Sequence, residues 1–163
     1  MAKSFALQSV QVSRAPEEVF AAFLKRRGKR VTRQRQRIVE QVFSHHDHFD
    51  ADELIEHLQE LIAKRQVSRP TVYRTLAELV EAGLLRKMTL AGRSVYEHDY
   101  GYPQHDHLYC QVCNRLIEFQ SRELEHISHA VAKEHCFEIA CHRMFITGVC
   151  ADCRRSKSPA PAT

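Results

Sequence analysis

The chain has 163 residues, 44% of them hydrophobic and 27% charged, with a net charge of +4. That is enough for one domain or two small ones, with the balance of a soluble globular protein. No apolar run approaches membrane-spanning length and no leader with a cleavage signature opens the chain, so the expectation is a cytoplasmic protein without membrane association.

Residues 1–15 show no period and read as a flexible arm. Pro16-Glu17-Glu18 opens a first helix with acids in its first turn, and Gly28 closes it after a cationic last turn. From Lys25 to Arg37 eight of thirteen residues are Lys or Arg, with no acid between Glu18 and Glu40. A charge run is ordinarily a solvated face, but this one also suits a phosphate backbone. Thr32 caps a second helix with Ile38, Val39, Val42 and Phe43 as its apolar stripe. A loop over residues 44–49 follows, then a capping-box start at Asp50 for a third helix carrying Leu54, Leu58, Leu61 and Ile62.

Ser68 caps a fourth helix, with Pro70 in its first turn and Gly83 beyond its end. Val72, Leu76, Leu79 and Val80 face inward, which leaves Arg69, Thr71, Tyr73, Arg74 and Thr75 around the outward-facing start. Strands at Leu85–Leu90 and Arg93–His98 flank the turn Ala91-Gly92. Helices followed by a hairpin make a winged helix-turn-helix over residues 16–98, whose last helix would enter a major groove.

Residues 99–104, with Gly101 and Pro103, read as a hinge before a smaller α/β unit over residues 105–153. Its expected elements are strands at His107–Cys110 and Leu116–Phe119, a helix capped by Ser121, and a longer strand at Phe137–Ile146. Residues 154–163 read as a disordered tail. The fold class is therefore α+β.

All six cysteines fall between Cys110 and Cys153, and four form two CxxC pairs, Cys110-Gln-Val-Cys113 and Cys150-Ala-Asp-Cys153. Two such pairs complete a tetrahedral all-sulfur site that suits Zn²⁺. In a reducing compartment they read as metal ligands rather than a disulfide framework, and each follows a strand rather than opening a thioredoxin-like unit. Cys136 and Cys141 read as buried small hydrophobes. His105 and His107 share a strand face while Asp106 points away, and Glu118 on the neighbouring strand is placed to join them. These N and O donors suit an exchangeable divalent metal. No HExxH or deaminase-like HxE…PCxxC motif supports a zinc hydrolase, and the basic run argues against a zinc-stapled module without DNA binding.

The chain resembles the ferric uptake regulator superfamily of bacterial metalloregulators. The matching segments are Thr32-Arg-Gln-Arg35, His48-Phe-Asp-Ala-Asp-Glu-Leu54, Arg69-Pro-Thr-Val-Tyr-Arg-Thr-Leu76, Ser94-Val-Tyr-Glu97, His105-Asp-His-Leu-Tyr-Cys110 with Cys113, Ile117-Glu-Phe119 and Cys150-Ala-Asp-Cys153. The resemblance implies a homodimeric repressor of metal-ion uptake genes that binds AT-rich palindromic operator DNA when metal is bound. It implies structural zinc at Cys110, Cys113, Cys150 and Cys153, and a regulatory site of His48, Glu97, His105, His107 and Glu118 for Fe²⁺ or another divalent metal. Some relatives have a further site, matched here by Asp106, Glu125 and His142, whose usual fourth histidine is Gln104 in this chain. The matching DNA contacts are Tyr73 and Arg74 on the recognition helix, Arg35 near the backbone and Arg30 near the minor groove. Peroxide sensors of the superfamily usually carry Asp where this chain has Glu118, and zinc sensors a cysteine in the sensing site. The pattern therefore favours the iron type, with nickel and manganese sensing open.

Overall fold

The computed structural model describes Phe5, Leu7 and residues 10–44 and 48–157, which fall into two compact units, the first spanning Val10–Tyr102 and the second running from Pro103 onward together with Phe5 and Leu7. In the first unit, α1 (Pro16–Arg26) ends in a left-handed Gly28, whose amide bonds to the Lys25 carbonyl while that of Lys29 reaches back to Leu24. The second helix, α2 (Arg33–Phe43), is capped by the Thr32 side chain, which accepts from the Arg35 amide. Next come a two-residue strand β1 (Phe49–Asp50), α3 (Ala51–His57), a short α4 (Gln59–Ala63) and α5 (Arg69–Glu81). The hairpin β2 (Leu85–Leu90) and β3 (Arg93–His98) completes the wing, and β1 pairs with β3 to give the antiparallel order β1-β3-β2.

Two details of this unit differ from the sequence expectation. The strand β1 was expected as loop, because two residues are too few to show a period of two. It forms because Phe49 stacks on its cross-strand partner Tyr96, with ring centroids 5.7 Å apart, while Asp50 closes a full capping box with Glu53. The expected single third helix is tightened at Leu58, which is fully buried and leaves the helical region at ψ 4°. The chain holds its course there because Leu58 N–H bonds to Leu54 and Ile62 N–H to Leu58. The core of the unit is continuous, centred on Leu24, Ile38, Leu58, Leu76, Leu79 and Leu84.

Gly101 is fixed by two constraints, a φ of +73° and the Val12 side chain, whose Cγ1 would lie 2.8 Å from an added Cβ. Residues 1–4, 6, 8 and 9 of the expected arm lie outside the described residues, as do His45, His46 and Asp47 of the loop.

The second unit is a three-stranded sheet of order β5-β4-β6, built from β4 (Asp106–Cys110), β5 (Leu116–Phe119) and β6 (Phe145–Gly148). Its helices are α6 (Arg122–Glu134), capped by Ser121, and α7 (Ala151–Lys157). The Phe5 carbonyl accepts from the Gln120 amide just beyond β5. Here β4 pairs antiparallel with β5 and parallel with β6.

The strand expected over Phe137–Ile146 is cut to its last two residues plus Thr147 and Gly148. The helix α6 ends at a left-handed Cys136, and the chain reaches the sheet only where Asp106 Oδ1 accepts from the Met144 amide at 2.8 Å. Cys136 and Cys141 lie on this irregular stretch and are exposed, not buried. The expected tail begins as helix: α7 carries Arg154 to Lys157, held by Arg154 N–H to the Cys150 carbonyl and Ser156 Oγ to the Asp152 carbonyl. Residues 158–163 lie outside the described residues. Among the described residues no helix is long and apolar enough to cross a membrane.

Candidate metal centres and nucleic-acid face

Cys110 ends β4, Cys113 lies in the turn after it, Cys150 follows β6, and Cys153 is in the first turn of α7. The four sulfurs lie within 4.8 Å of one another, and Cys113 Sγ is 3.8 Å from Cys150 Sγ. A tetrahedron with Zn–S bonds of about 2.3 Å places its sulfurs about 3.8 Å apart, so the donor set fits zinc in both chemistry and size. The amide of Cys150 donates to Cys110 Sγ at 3.3 Å, and this bond is the largest of several that bring the Cys110 thiol down to about 6. The Cys153 thiol is pushed up to about 12, first by its hydrogen bond to Cys150 and then by loss of solvent. One member of the cluster is thus prepared as a thiolate while another keeps its proton until a cation displaces it.

The opposite end of β4 carries the imidazoles. His105 Nε2 lies 3.1 Å from His107 Nε2 and 3.6 Å from a Glu118 carboxylate oxygen, and Glu118 stands directly across from His107 in the register. His107 has no exposed surface and stacks on Phe145. His105 Nδ1 is 2.8 Å from the Pro103 carbonyl, to which it donates. That bond fixes the tautomer and leaves the Nε2 lone pair facing His107 and Glu118, which is how a metal-ligating histidine is held. These three side chains fit a divalent metal.

In the first unit, His48 Nε2 lies 3.3 Å from Glu97 Oε2, with Glu97 buried on β3. Arg86 on β2 steadies that carboxylate, 3.5 Å from Glu97 Oε1, and bonds Asp99 at 2.7 Å.

Asp106, Glu125 and His142 line a separate cavity of about 210 Å³ with Gln104, Gln120, Ser121 and Arg122. His142 Nε2 stands 3.8 Å from Asp106 Oδ2. Gln104 Nε2 donates to both the Nδ1 (2.7 Å) and the carbonyl (2.8 Å) of His142. An amide donor therefore sits on the imidazole nitrogen, and the fourth position supplies no ligand atom there.

On the first unit, Tyr73 is 50% exposed and Arg74 is exposed, its guanidinium bonded back to Pro70 and Thr71. Tyr73 is thus a surface residue; its hydroxyl stands 3.4 Å from Asp52 Oδ1. Arg30 is exposed between α1 and α2. One expectation needs correction. Thr75, expected outside, is fully buried among the core residues of α5. Arg35, the expected backbone contact, is half-buried and held by partners of its own unit: its Nε and one NH₂ group bond Glu78 at 3.1 and 2.9 Å, and the other bonds the Arg30 carbonyl at 2.7 Å. The sequence carried no sign of this, since Glu78 is 43 residues away.

The chain matches the model of the ferric uptake regulator family over residues 26–147. It belongs to that family. The ferric uptake regulation protein of Campylobacter upsaliensis is 30% identical over 136 residues, covering 83% of this chain and 87% of that protein. The peroxide-responsive repressor PerR of Staphylococcus aureus is 32% identical over 133 residues, covering 82% and 88%. Among solved structures, the Vibrio cholerae ferric uptake regulator, described as showing rearrangement of its DNA-binding domains, superposes with a TM-score of 0.65 at 30% identity, covering 80% of this chain and 98% of that one. The chain is thus a DNA-binding metalloregulator of the repressor class, not an enzyme.

Proposed function

We propose that this member of the ferric uptake regulator family is an iron-responsive, cytoplasmic repressor of metal-uptake genes that binds AT-rich palindromic operators as a homodimer. The observation that carries the metal-sensing reading is the pair of buried imidazoles His105 and His107 beside half-buried Glu118, with the His105 tautomer set by the Pro103 carbonyl. Its donors are nitrogen and oxygen, which exchange metal more readily than the four thiolates. In this reading His48 and Glu97 supply the remaining ligands, so one ion draws on both units and biases their orientation by its differential affinity for the two arrangements. Orientation matters because a dimer must set two recognition helices in successive major grooves. Tyr73 and Arg74 meet base edges, Arg30 reaches the minor groove, and Arg35 serves that surface from behind.

The homodimer is supported by the sheet of the second unit. Leu108 pairs with Ile117 on one side and Ile146 on the other, making an exposed apolar row across all three strands. The face of β4 that carries this row alternates with the face that carries His107.

The test is operator affinity of wild type and His107→Ala across Fe²⁺, Mn²⁺, Zn²⁺ and Ni²⁺, with zinc content measured alongside. Wild type should gain about 5–150-fold with its regulatory metal, a coupling of about 1–3 kcal/mol. His107→Ala should lose that gain and keep its thiolate-bound zinc. A full response in the variant, or none in wild type, ends this reading. The match to the peroxide-responsive repressor favours a second reading, so a peroxide arm is included. Loss of operator binding on peroxide treatment of the iron-loaded protein would select it.

A further inference from the structure

We propose that Glu78 is a positioning residue for DNA recognition: its buried carboxylate locks the basic loop between α1 and α2 onto the recognition helix α5. The inference rests on the reading of α5 as the base-reading helix.

The basic run has no internal counterion, so its eight cations repel one another unless another element supplies acids. The helix α5 supplies two, one turn apart. Glu81 pairs with Arg27 at the end of α1. Glu78, only 6% exposed, takes Arg35 in a two-pronged grip and Lys29 Nζ at 2.7 Å on the same oxygen that receives one Arg35 prong. Three charge-assisted bonds on one buried carboxylate make a stiff junction, in which losing one partner strands the others.

The remaining edge of the Arg35 guanidinium donates to the Arg30 carbonyl. The connection therefore runs from α5 through one carboxylate and one guanidinium into the backbone of Arg30. Glu78 and Arg74 are four residues apart on α5, on adjacent turns of one rigid helix. The result is a fixed spacing between Arg30, left exposed for the nucleic acid, and the pair Tyr73 and Arg74. Phosphate and minor-groove contacts set the register in which a recognition helix meets its bases, so this spacing bears on specificity rather than on attraction. Lys25, Arg26, Arg30 and Arg33 stay exposed, and the Glu78 cluster itself keeps a surplus of one positive charge.

The charge change makes the idea testable, because its two consequences have opposite signs. Replacing Glu78 by Gln removes a negative charge and releases Arg35 and Lys29, so electrostatics alone would tighten binding to any duplex. A positioning role requires the operator to be bound more weakly. The probes are a palindromic duplex selected by the metal-loaded wild-type protein from a random pool, and a scrambled duplex of equal length. For Glu78→Gln we expect operator affinity to fall on the order of tenfold. Scrambled-duplex affinity should hold or rise, and its dependence of log K on log salt should steepen by about one.

Glu81→Gln is the control. It makes the same charge change in a pair that is half exposed, and should raise both affinities slightly without changing their ratio. Should Glu78→Gln lose helix content, Glu78→Asp, which keeps the charge and withdraws the carboxylate by one methylene, takes its place with the same expected loss of specificity. An operator-to-scrambled ratio unchanged from wild type overturns the positioning role alone. Absence of sequence-specific binding by wild type overturns both this inference and the DNA reading beneath it.

Discussion

The two units are held together by different physics. In the first, sixteen buried apolar residues from Phe20 to Tyr96 form one core, and the buried carboxylates of Asp50, Glu78 and Glu97 are each paired with an arginine. In the second, the buried apolar residues are Cys110 and Ala132, and the rest of the described interior is His105, Asp106 and His107. Its large apolar side chains are outside: Ile127 and Val131 on α6, Phe137 beyond it, and Leu108, Ile117 and Ile146 on the sheet. One unit excludes water by itself. The other is a small scaffold whose described interior is mostly thiol, imidazole and carboxylate, and small scaffolds need a metal, a partner or both.

The largest expected effect follows from that contrast. Cys110→Ser, or stripping zinc with a strong chelator, should unfold the second unit, because binding energy there is folding energy. Hydrogen exchange on the whole chain would read it as lost protection from residue 103 onward with protection kept over 20–96. Equal protection in both units with zinc removed would erase the distinction. The reciprocal substitution is Leu76→Ala, at a fully buried site on α5. It should cost about 2–5 kcal/mol in the first unit, seen as a lowered denaturation midpoint, while one zinc per chain is retained.

A smaller effect is set by protons. Cys110 is a thiolate above about pH 6, whereas Cys153, near 12, still carries its proton at pH 7. Zinc must therefore displace at least the Cys153 proton, so its apparent affinity rises with pH, and it falls further below about 6, where Cys110 also reprotonates. Competition with a calibrated chelator between pH 5.5 and 8 would show the slope. The first unit, with no such cluster, should hold its fold over that range. The smallest effect is local to the first unit: Asp50→Ala removes the cap of α3 and should cost about 1 kcal/mol, leaving zinc content unchanged.

What the sequence disclosed follows the same division. The winged helix was legible because its elements repeat with clean periods between strong punctuation: Gly28, Ser68, Pro70, Gly83 and Ala91-Gly92 bracket helices and hairpin, and the bounds of β2 and β3 agree with the structure. The two CxxC pairs and the alternation of His105 with His107 were equally plain, since ligand spacing is local. Pairings across long separations were not. The basic run reads as a uniform cationic face, yet Arg27, Lys29 and Arg35 are matched with acids on α5. Thr75 looked like part of a polar surface because its neighbours Tyr73 and Arg74 are, although its place on the helix turns it into the core. The strand expected over Phe137–Ile146 failed for a related reason: its apolar residues face solvent in a unit with little interior to receive them, so pattern alone overstated its length.

The alternation along β4 has a heritable consequence. His107 and Leu108 are adjacent in sequence but lie on opposite faces of the strand, and each is matched to neighbours on both flanking strands. A gain or loss of one codon within β4 would exchange the two faces, turning the imidazole toward solvent and the leucine toward His105 and Glu118. Both properties would fail in a single event. Descendants of this gene can therefore retune the metal chemistry or the apolar row by replacing letters, but not by changing the number of letters in that strand.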